Sequence, residues 1–112
     1  MELKLRSANN VQILELAGRF DTYTAGEVRQ WIEEAAAKEP ANIVVNLQGV
    51  DFVDSTALAT LVQGVKNCRQ LNGDLRLCGV QQSVRMVFEL TRLDRFFEVY
   101  SQETEAVKAF AN

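Results

Sequence analysis

The chain has 112 residues, 47% of them hydrophobic and 24% charged, and its formal net charge is −3. That length suits one domain able to bury roughly two-thirds of its unfolded surface, and the acidic balance lacks the concentrated positive charge that wrapping a nucleic acid requires. Histidine is absent, which removes Ser-His-Asp and Cys-His nucleophile pairs and histidine-based zinc sites.

The opening segment "MELKLRSANN" has no apolar core of signal-peptide length, and no run elsewhere approaches a membrane span. Neither a membrane nor a nucleic acid is therefore expected as a partner. Leu3 and Leu5 alternate onto one face of a first strand, and Asn9-Asn10 marks a turn. "VQILELAG" reads as a second strand, antiparallel to the first and ending near Gly18. In "DTYTAGEVRQWIEEAAAK", Thr24 and Glu27 have capping-box spacing, and Tyr23 is placed to pack on Val28 as a hydrophobic staple. Val28, Trp31, Ile32 and Ala35 form the inward stripe of this first helix, which Pro40 follows.

"NIVVNL" has the continuous apolar character of a strand buried on both faces. The next stretch, "QGVDFVD", reads as a loop, and a second helix is expected from about Ser55 to Leu71. Its inward stripe is Leu58, Leu61, Val62, Val65 and Cys68; Asn72-Gly73 ends it with residue types that tolerate a left-handed backbone. "DLRLCGV" is a further strand. "QSVRMVFELT" is a shorter helix with Val84, Val87 and Phe88 inward, "FFEVY" a last strand, and "QETEAVKAFAN" a terminal helix burying Val107 and Phe110. The order β-β-α-β-α-β-α-β-α predicts a single α/β domain spanning 1–112, with a mixed, mostly parallel five-stranded sheet and about four helices.

Cys68 and Cys78 lack the paired close spacing of a metal or redox site and suit buried small hydrophobes in a reducing cytoplasm. Arg85, Arg92 and Arg95 are the loose basic cluster of the chain and read as a solvated face. The Rossmann glycine fingerprint and the Walker P-loop are both missing. Asp21, Asp51 and Asp54 are acids that could gather around Mg²⁺, but Asn46 stands near the strand end where a receiver domain keeps its aspartate. The expectation is no metal, no cofactor and no catalysis.

The junction "DFVDSTALAT" poses the sharper question. Either Asp54 or Ser55 is placed to cap the second helix, a contribution of about 1 kcal/mol. Beyond the cap, Thr56, Ala57, Ala59, Thr60, Gln63 and Gly64 fall off the inward stripe, and no charge appears until Lys66. Exposed helix faces ordinarily carry Lys and Glu. A neutral face of small side chains suits close approach by another backbone, whether of a partner or of the same domain. A phosphate on Ser55 would sit at a helix N-terminus, which tolerates anions.

These residues carry a resemblance. "VDFVDSTALATLV", preceded by "AGRFDTYTAGEV" and the buried "NIVVNL", resembles the STAS domain family, in particular the bacterial anti-sigma-factor antagonists, over essentially the whole chain. The resemblance implies that Ser55 is phosphorylated by a cognate anti-sigma factor, itself a serine kinase of the histidine-kinase-like ATPase fold, and restored by a serine phosphatase. It implies that Asp54 is the acid preceding the phosphoacceptor, Thr56 the second hydroxyl residue, Leu58 the helix anchor and Asp21 an acid beside the serine. The expected partner surface is Asp21, Tyr23, Asp54, Ser55, Thr56, Ala57, Leu58, Thr60 and Gln63. Ala57 departs from the family's usual glycine and is expected to add a methyl group near the contact. The implied role is partner switching in transcription regulation by a cytoplasmic protein, expected to be a monomer. The alternative is a STAS subunit of a transport assembly, such as one for lipid, that is not phosphorylated.

Overall fold

The computed structural model describes residues 1–111. Alternating apolar residues pair the opening strands as expected. β1 (Glu2–Ala8) and β2 (Val11–Phe20) are antiparallel, with Leu3 opposite Leu16 and Leu5 opposite Leu14. Asn9 and Asn10 both adopt positive φ, 52° and 64°, as the two central residues of a tight hairpin turn must. The chain continues through α1 (Ala25–Ala35), β3 (Asn42–Val53), α2 (Ser55–Gln70), β4 (Asp74–Cys78), α3 (Gln82–Leu90), β5 (Val99–Tyr100) and α4 (Glu103–Lys108). A 3-10 turn, Ala109–Ala111, ends the described residues. The sheet order is β1-β2-β3-β4-β5, and all pairings after the first are parallel.

One face of the sheet carries most of the core. Leu14, Leu16, Ile43, Val45, Leu47, Leu75 and Leu77 meet Val28 and Ile32 of α1, Leu58, Leu61, Val65 and Cys68 of α2, and Val84 and Phe88 of α3. On the opposite face Val11, Ile13, Val44 and Cys78 pack with Ala106 and Val107 of α4. Arg6 fastens that helix to the sheet, its two terminal nitrogens donating to the Glu103 carboxylate at 2.9 and 2.8 Å, while Asn46 donates to the same group at 3.1 Å. Both cysteines are free and buried, and burial pushes their thiols up to about 12. Neither is a reactive thiolate at neutral pH.

Several local expectations are corrected by the packing. The stretch 48–53 is strand rather than loop. β3 pairs with β2 as far as Phe20 and Val53, past two register shifts between Glu15 and Ala17 and between Gly18 and Arg19. Each shift spends an extra residue on β3, so Leu47, Val50 and Val53 return to the core at intervals of three and the period-2 signal disappears. β2 likewise runs beyond Gly18. Past Asn46, β3 has lost β4 as a neighbour. There Gln81 Nε2 donates to the Gln48 carbonyl at 2.6 Å and Ser83 Oγ to the Asp51 carbonyl at 2.9 Å, so residues at the start of α3 cover the open edge.

"FFEVY" supplies only a two-residue strand, because Phe96 and Phe97 turn inward. Their rings lie edge to face at 5.2 Å, and Phe97 also stacks on Phe88 at 5.2 Å. Filling the end of the core outweighs extending an edge strand.

Candidate docking surface around Ser55

β2 and β3 are parallel neighbours, so the segments leaving them emerge at one end of the sheet. Arg19 is in register with Phe52, and Phe20 with Val53. The loop 21–24 therefore begins beside the start of α2. A cleft of about 430 Å³ lined by Leu5, Gln12, Lys38 and Pro40 lies at the other end of these strands. The Ser55 region is a surface rather than that cleft.

Asp54 caps α2. Its extended backbone lets the side chain turn back, and Oδ1 accepts the Ala57 N–H at 3.0 Å. Oδ2 reaches the neighbouring loop, accepting the Thr22 N–H at 2.8 Å and the Thr22 hydroxyl at 3.0 Å. The Thr22 and Thr56 hydroxyl oxygens lie 3.2 Å apart. Since the Thr22 proton is committed to Asp54, Thr56 donates in that pair. One carboxylate thus ties the loop after β2 to the first turn of α2. The Ala57 amide, followed by the two Thr22 donors, holds the Asp54 carboxyl below the usual carboxylate range.

The two candidates for the cap are now distinguished. Asp54 caps the helix, and Ser55, the first helical residue, is exposed. Thr56, Ala59 and Gln63 are exposed on the same helix and Thr60 is half-buried, so no element among the described residues covers this face. The Thr60 hydroxyl donates back to the Thr56 carbonyl at 2.9 Å, and the Gln63 amide to Asn67 at 2.9 Å.

Two expected contact residues are corrected. Ala57 is fully buried and Leu58 is 6% exposed, so both support the surface from beneath. Gly64, also expected off the inward stripe, packs inward, where an added Cβ would stand 2.8 Å from Leu75 Cδ1. The extra methyl of Ala57 lies in the core rather than near a contact. Ala57→Gly is therefore expected to lower stability by about 1–2 kcal/mol, from helix propensity and one lost buried methyl, with partner affinity unchanged. Chemical denaturation beside a binding titration checks both halves.

Asp21 makes its hydrogen bonds within its own loop. Oδ1 accepts the N–H groups of Tyr23 and Thr24 at 3.0 and 3.3 Å, an Asx turn. This turn replaces the expected capping box: Thr24 Oγ1 accepts the Asp21 N–H at 2.9 Å and donates to the Arg19 carbonyl at 2.9 Å instead of capping α1. Tyr23 is carried outward as a result. It is 95% exposed, so the staple onto Val28 does not form. Asp51 is exposed, and among the described residues no group of three or more acidic or cysteine side chains is placed to hold a metal ion.

Three participants escaped the sequence reading: Thr22, Arg19 and Phe52. The Arg19 guanidinium lies 3.9 Å from the centroid of the Phe52 ring, and its Nε is 3.4 Å from Asp21 Oδ2. Their signal was the parallel register of β2 and β3, which the bulges hid.

With Asp54 ionised and holding two segments, Asp54→Ala is expected to cost about 1–2 kcal/mol and to free the loop 21–24. A carboxyl depressed in the folded state contributes stability above its unfolded value. That contribution is lost as pH falls through the depressed folded value, below the ordinary carboxylate range. The wild-type advantage over Asp54→Asn in urea titrations should therefore persist through mildly acidic pH and shrink only in strong acid.

A five-stranded mixed sheet with three helices on one face and one on the other makes this a single α/β domain. The STAS domain family matches residues 2–106, and the chain belongs to it. It is 32% identical over 105 residues to the anti-sigma-B factor antagonist of Listeria monocytogenes, covering 94% of this chain and 91% of that protein. An anti-sigma-factor antagonist (STAS) domain protein from Planctomyces limnophilus superposes with a TM-score of 0.89 at 22% identity, covering 98% of each chain. The Bacillus protein SpoIIAA, an anti-sigma factor antagonist, shares the fold in its unphosphorylated form, with a TM-score of 0.80, 21% identity and coverage of 96% and 95%. Its phosphorylated form gives 0.72, 20% and coverage of 96% and 98%. No helix of the described residues is long and apolar enough to cross a membrane.

Proposed function

We propose that this chain is an anti-sigma factor antagonist. It captures an anti-sigma factor that is also a serine kinase of the histidine-kinase-like ATPase fold, through the 21–24 loop and the outward side of α2. Phosphorylation of Ser55 releases it, and a serine phosphatase resets it. The protein is substrate and ligand in this cycle, a regulatory binding module rather than an enzyme, acting in the cytoplasm as a monomer.

The observation that carries the reading is the division of labour at the helix start. Asp54 makes the cap, so the exposed Ser55 hydroxyl is left for a partner. The neutral exposed residues around it can be covered without stripping water from a charge. Asp21 and Asp54 both face loop donors inside the domain, which leaves Tyr23 as the aromatic anchor standing free. Exposed tyrosines of this kind are over-represented among residues that dominate binding energy.

The test is phosphate transfer. The purified chain is incubated with ATP and each histidine-kinase-like ATPase encoded in the same genome, and the phosphate is mapped by mass spectrometry. Modification confined to Ser55, absent in Ser55→Ala, is the expected result. No transfer from any of them would favour the unphosphorylated transport-assembly subunit instead.

A further inference from the structure

On the strands that lead to the start of α2 stands a cation that the fold holds ready but does not use up. β2 and β3 place Arg19 in register with Phe52, three residues before Ser55. The guanidinium is stacked 3.9 Å above the Phe52 ring and steered by Asp21 through its Nε alone. Among the described residues its two terminal nitrogens have no hydrogen-bond partner, and the side chain is 65% exposed. Phe52 is itself 37% exposed. Exposed arginines ordinarily sample many rotamers, and fixing one costs entropy when a partner binds. Here the stack and Asp21 have already restricted the side chain. The remaining N–H fork has the geometry that takes a carboxylate in two parallel hydrogen bonds.

The two acids nearest Arg19 and the cap are already engaged, and the remaining one, Asp51, is exposed. The Asp54 carboxylate is taken by Ala57 and Thr22, the Asp21 carboxylate by Tyr23, Thr24 and Arg19, and the exposed side of α2 is neutral as far as Lys66. Charge complementarity therefore selects the sign of what docks against Arg19.

We propose that Arg19, presented on Phe52, is a specificity-determining docking residue that receives a carboxylate side chain of the protein partner bound over Ser55. This rests on the proposed function and adds to it the chemistry of the partner: an acidic residue at the rim of its contact surface. It also sharpens the switch. A dianion on Ser55 repels the partner acid and competes with it for the Arg19 fork, and both effects oppose the complex.

The experiment titrates the kinase found to phosphorylate Ser55 against wild-type protein, Arg19→Gln, Arg19→Lys and Arg19→Glu, by calorimetry at low and high salt with a non-hydrolysable ATP analogue. Thermal melts confirm folding of each variant. Arg19→Gln should bind about tenfold more weakly at low salt and Arg19→Glu about a hundredfold. Arg19→Lys should fall between wild type and Arg19→Gln, because it keeps the charge without the fork. The difference between wild type and Arg19→Gln should narrow at high salt. In single-turnover phosphorylation, Arg19→Gln should raise the half-saturating concentration with the maximal rate unchanged.

Equal affinity of wild type and Arg19→Gln would overturn the carboxylate dock while leaving the proposed function standing. So would a loss identical at both salt concentrations, since Arg19 would then act only by bracing Asp21. If instead no kinase in the genome phosphorylates or binds the wild-type chain, the proposed function falls and this inference falls with it.

Discussion

Phosphorylating Ser55 is expected to weaken partner binding by about a hundredfold, a change of only about 2.7 kcal/mol, while leaving the fold and its melting temperature almost untouched. Two features of the helix start produce this separation. A helix N-terminus tolerates an anion, so the domain does not reject the phosphate. The Ala57 N–H, a helix-start donor that an anion there could otherwise use, is already taken by Asp54. The phosphate therefore cannot fold back into the cap, and its about −1.5 to −2 charges remain on the surface the partner must cover. Asp54, ionised because its donors hold its carboxyl low, adds repulsion that keeps the phosphate outward.

The variants separate these effects. Ser55→Ala should bind the kinase as wild type does and accept no phosphate. Ser55→Asp should lose part of the affinity, because one carboxylate carries less charge and fewer acceptor oxygens than a phosphate. Calorimetric titration of wild-type, phosphorylated and variant protein measures all of this. Should Ser55→Asp bind as tightly as wild type while the phosphoprotein does not, charge alone would be insufficient and the bulk of the phosphate would have to carry the difference. A large drop in melting temperature on phosphorylation would instead place the effect inside the domain.

The sequence revealed what periodicity can carry. The inward stripe of α2 at Leu58, Leu61, Val65 and Cys68, the apolar run of β3 and the Asn9-Asn10 hairpin all stand where the pattern placed them. What it concealed depends on contacts between distant segments. Thr24 and Glu27 have the spacing of a capping box, but the spacing says nothing of Asp21, which draws the loop into an Asx turn and points Tyr23 at solvent. Asp54 reads as a local cap, whereas half of its work is done across a gap of 32 residues, on Thr22. Ala57 looked outward on a helical wheel, yet the first turn of α2 is tucked against the domain deeply enough to bury it. Around Ser55, then, the sequence places a hydroxyl at the start of α2, and the tertiary fold decides which neighbours are exposed beside it.

Gly73→Ala is expected to be among the most damaging single-methyl changes in the chain, costing about 3 kcal/mol or more, beyond the usual range for overpacking. The sequence suggests that Asn72-Gly73 is a pair chosen for left-handed backbone, but only Asn72 has that conformation, at φ 60°. Gly73 is needed for closeness. A Cβ built there would stand 1.9 Å from the Ala41 carbonyl oxygen and 2.4 Å from its carbonyl carbon. Backbone cannot swing aside as a side chain would. Moreover, this carbonyl accepts the Asp74 N–H at 3.0 Å, while the Ala41 N–H donates to Leu71 at 3.2 Å and Gly73 itself donates to Cys68 at 2.9 Å. Those bonds clasp the end of α2 to the starts of β3 and β4, so relieving the clash means breaking the clasp. Gly26→Ala is the control: it lies in α1 with nothing within 4 Å of the added methyl, and helix propensity predicts a gain of up to about 1 kcal/mol. At roughly 4 °C per kcal/mol for a domain of this size, the two melting temperatures should move in opposite directions, with Gly73→Ala falling by about 12 °C or more. A Gly73→Ala protein melting near wild type would mean that the strands can part at Ala41 without loss, and that the close approach there is not what holds α2 in place beneath Ser55.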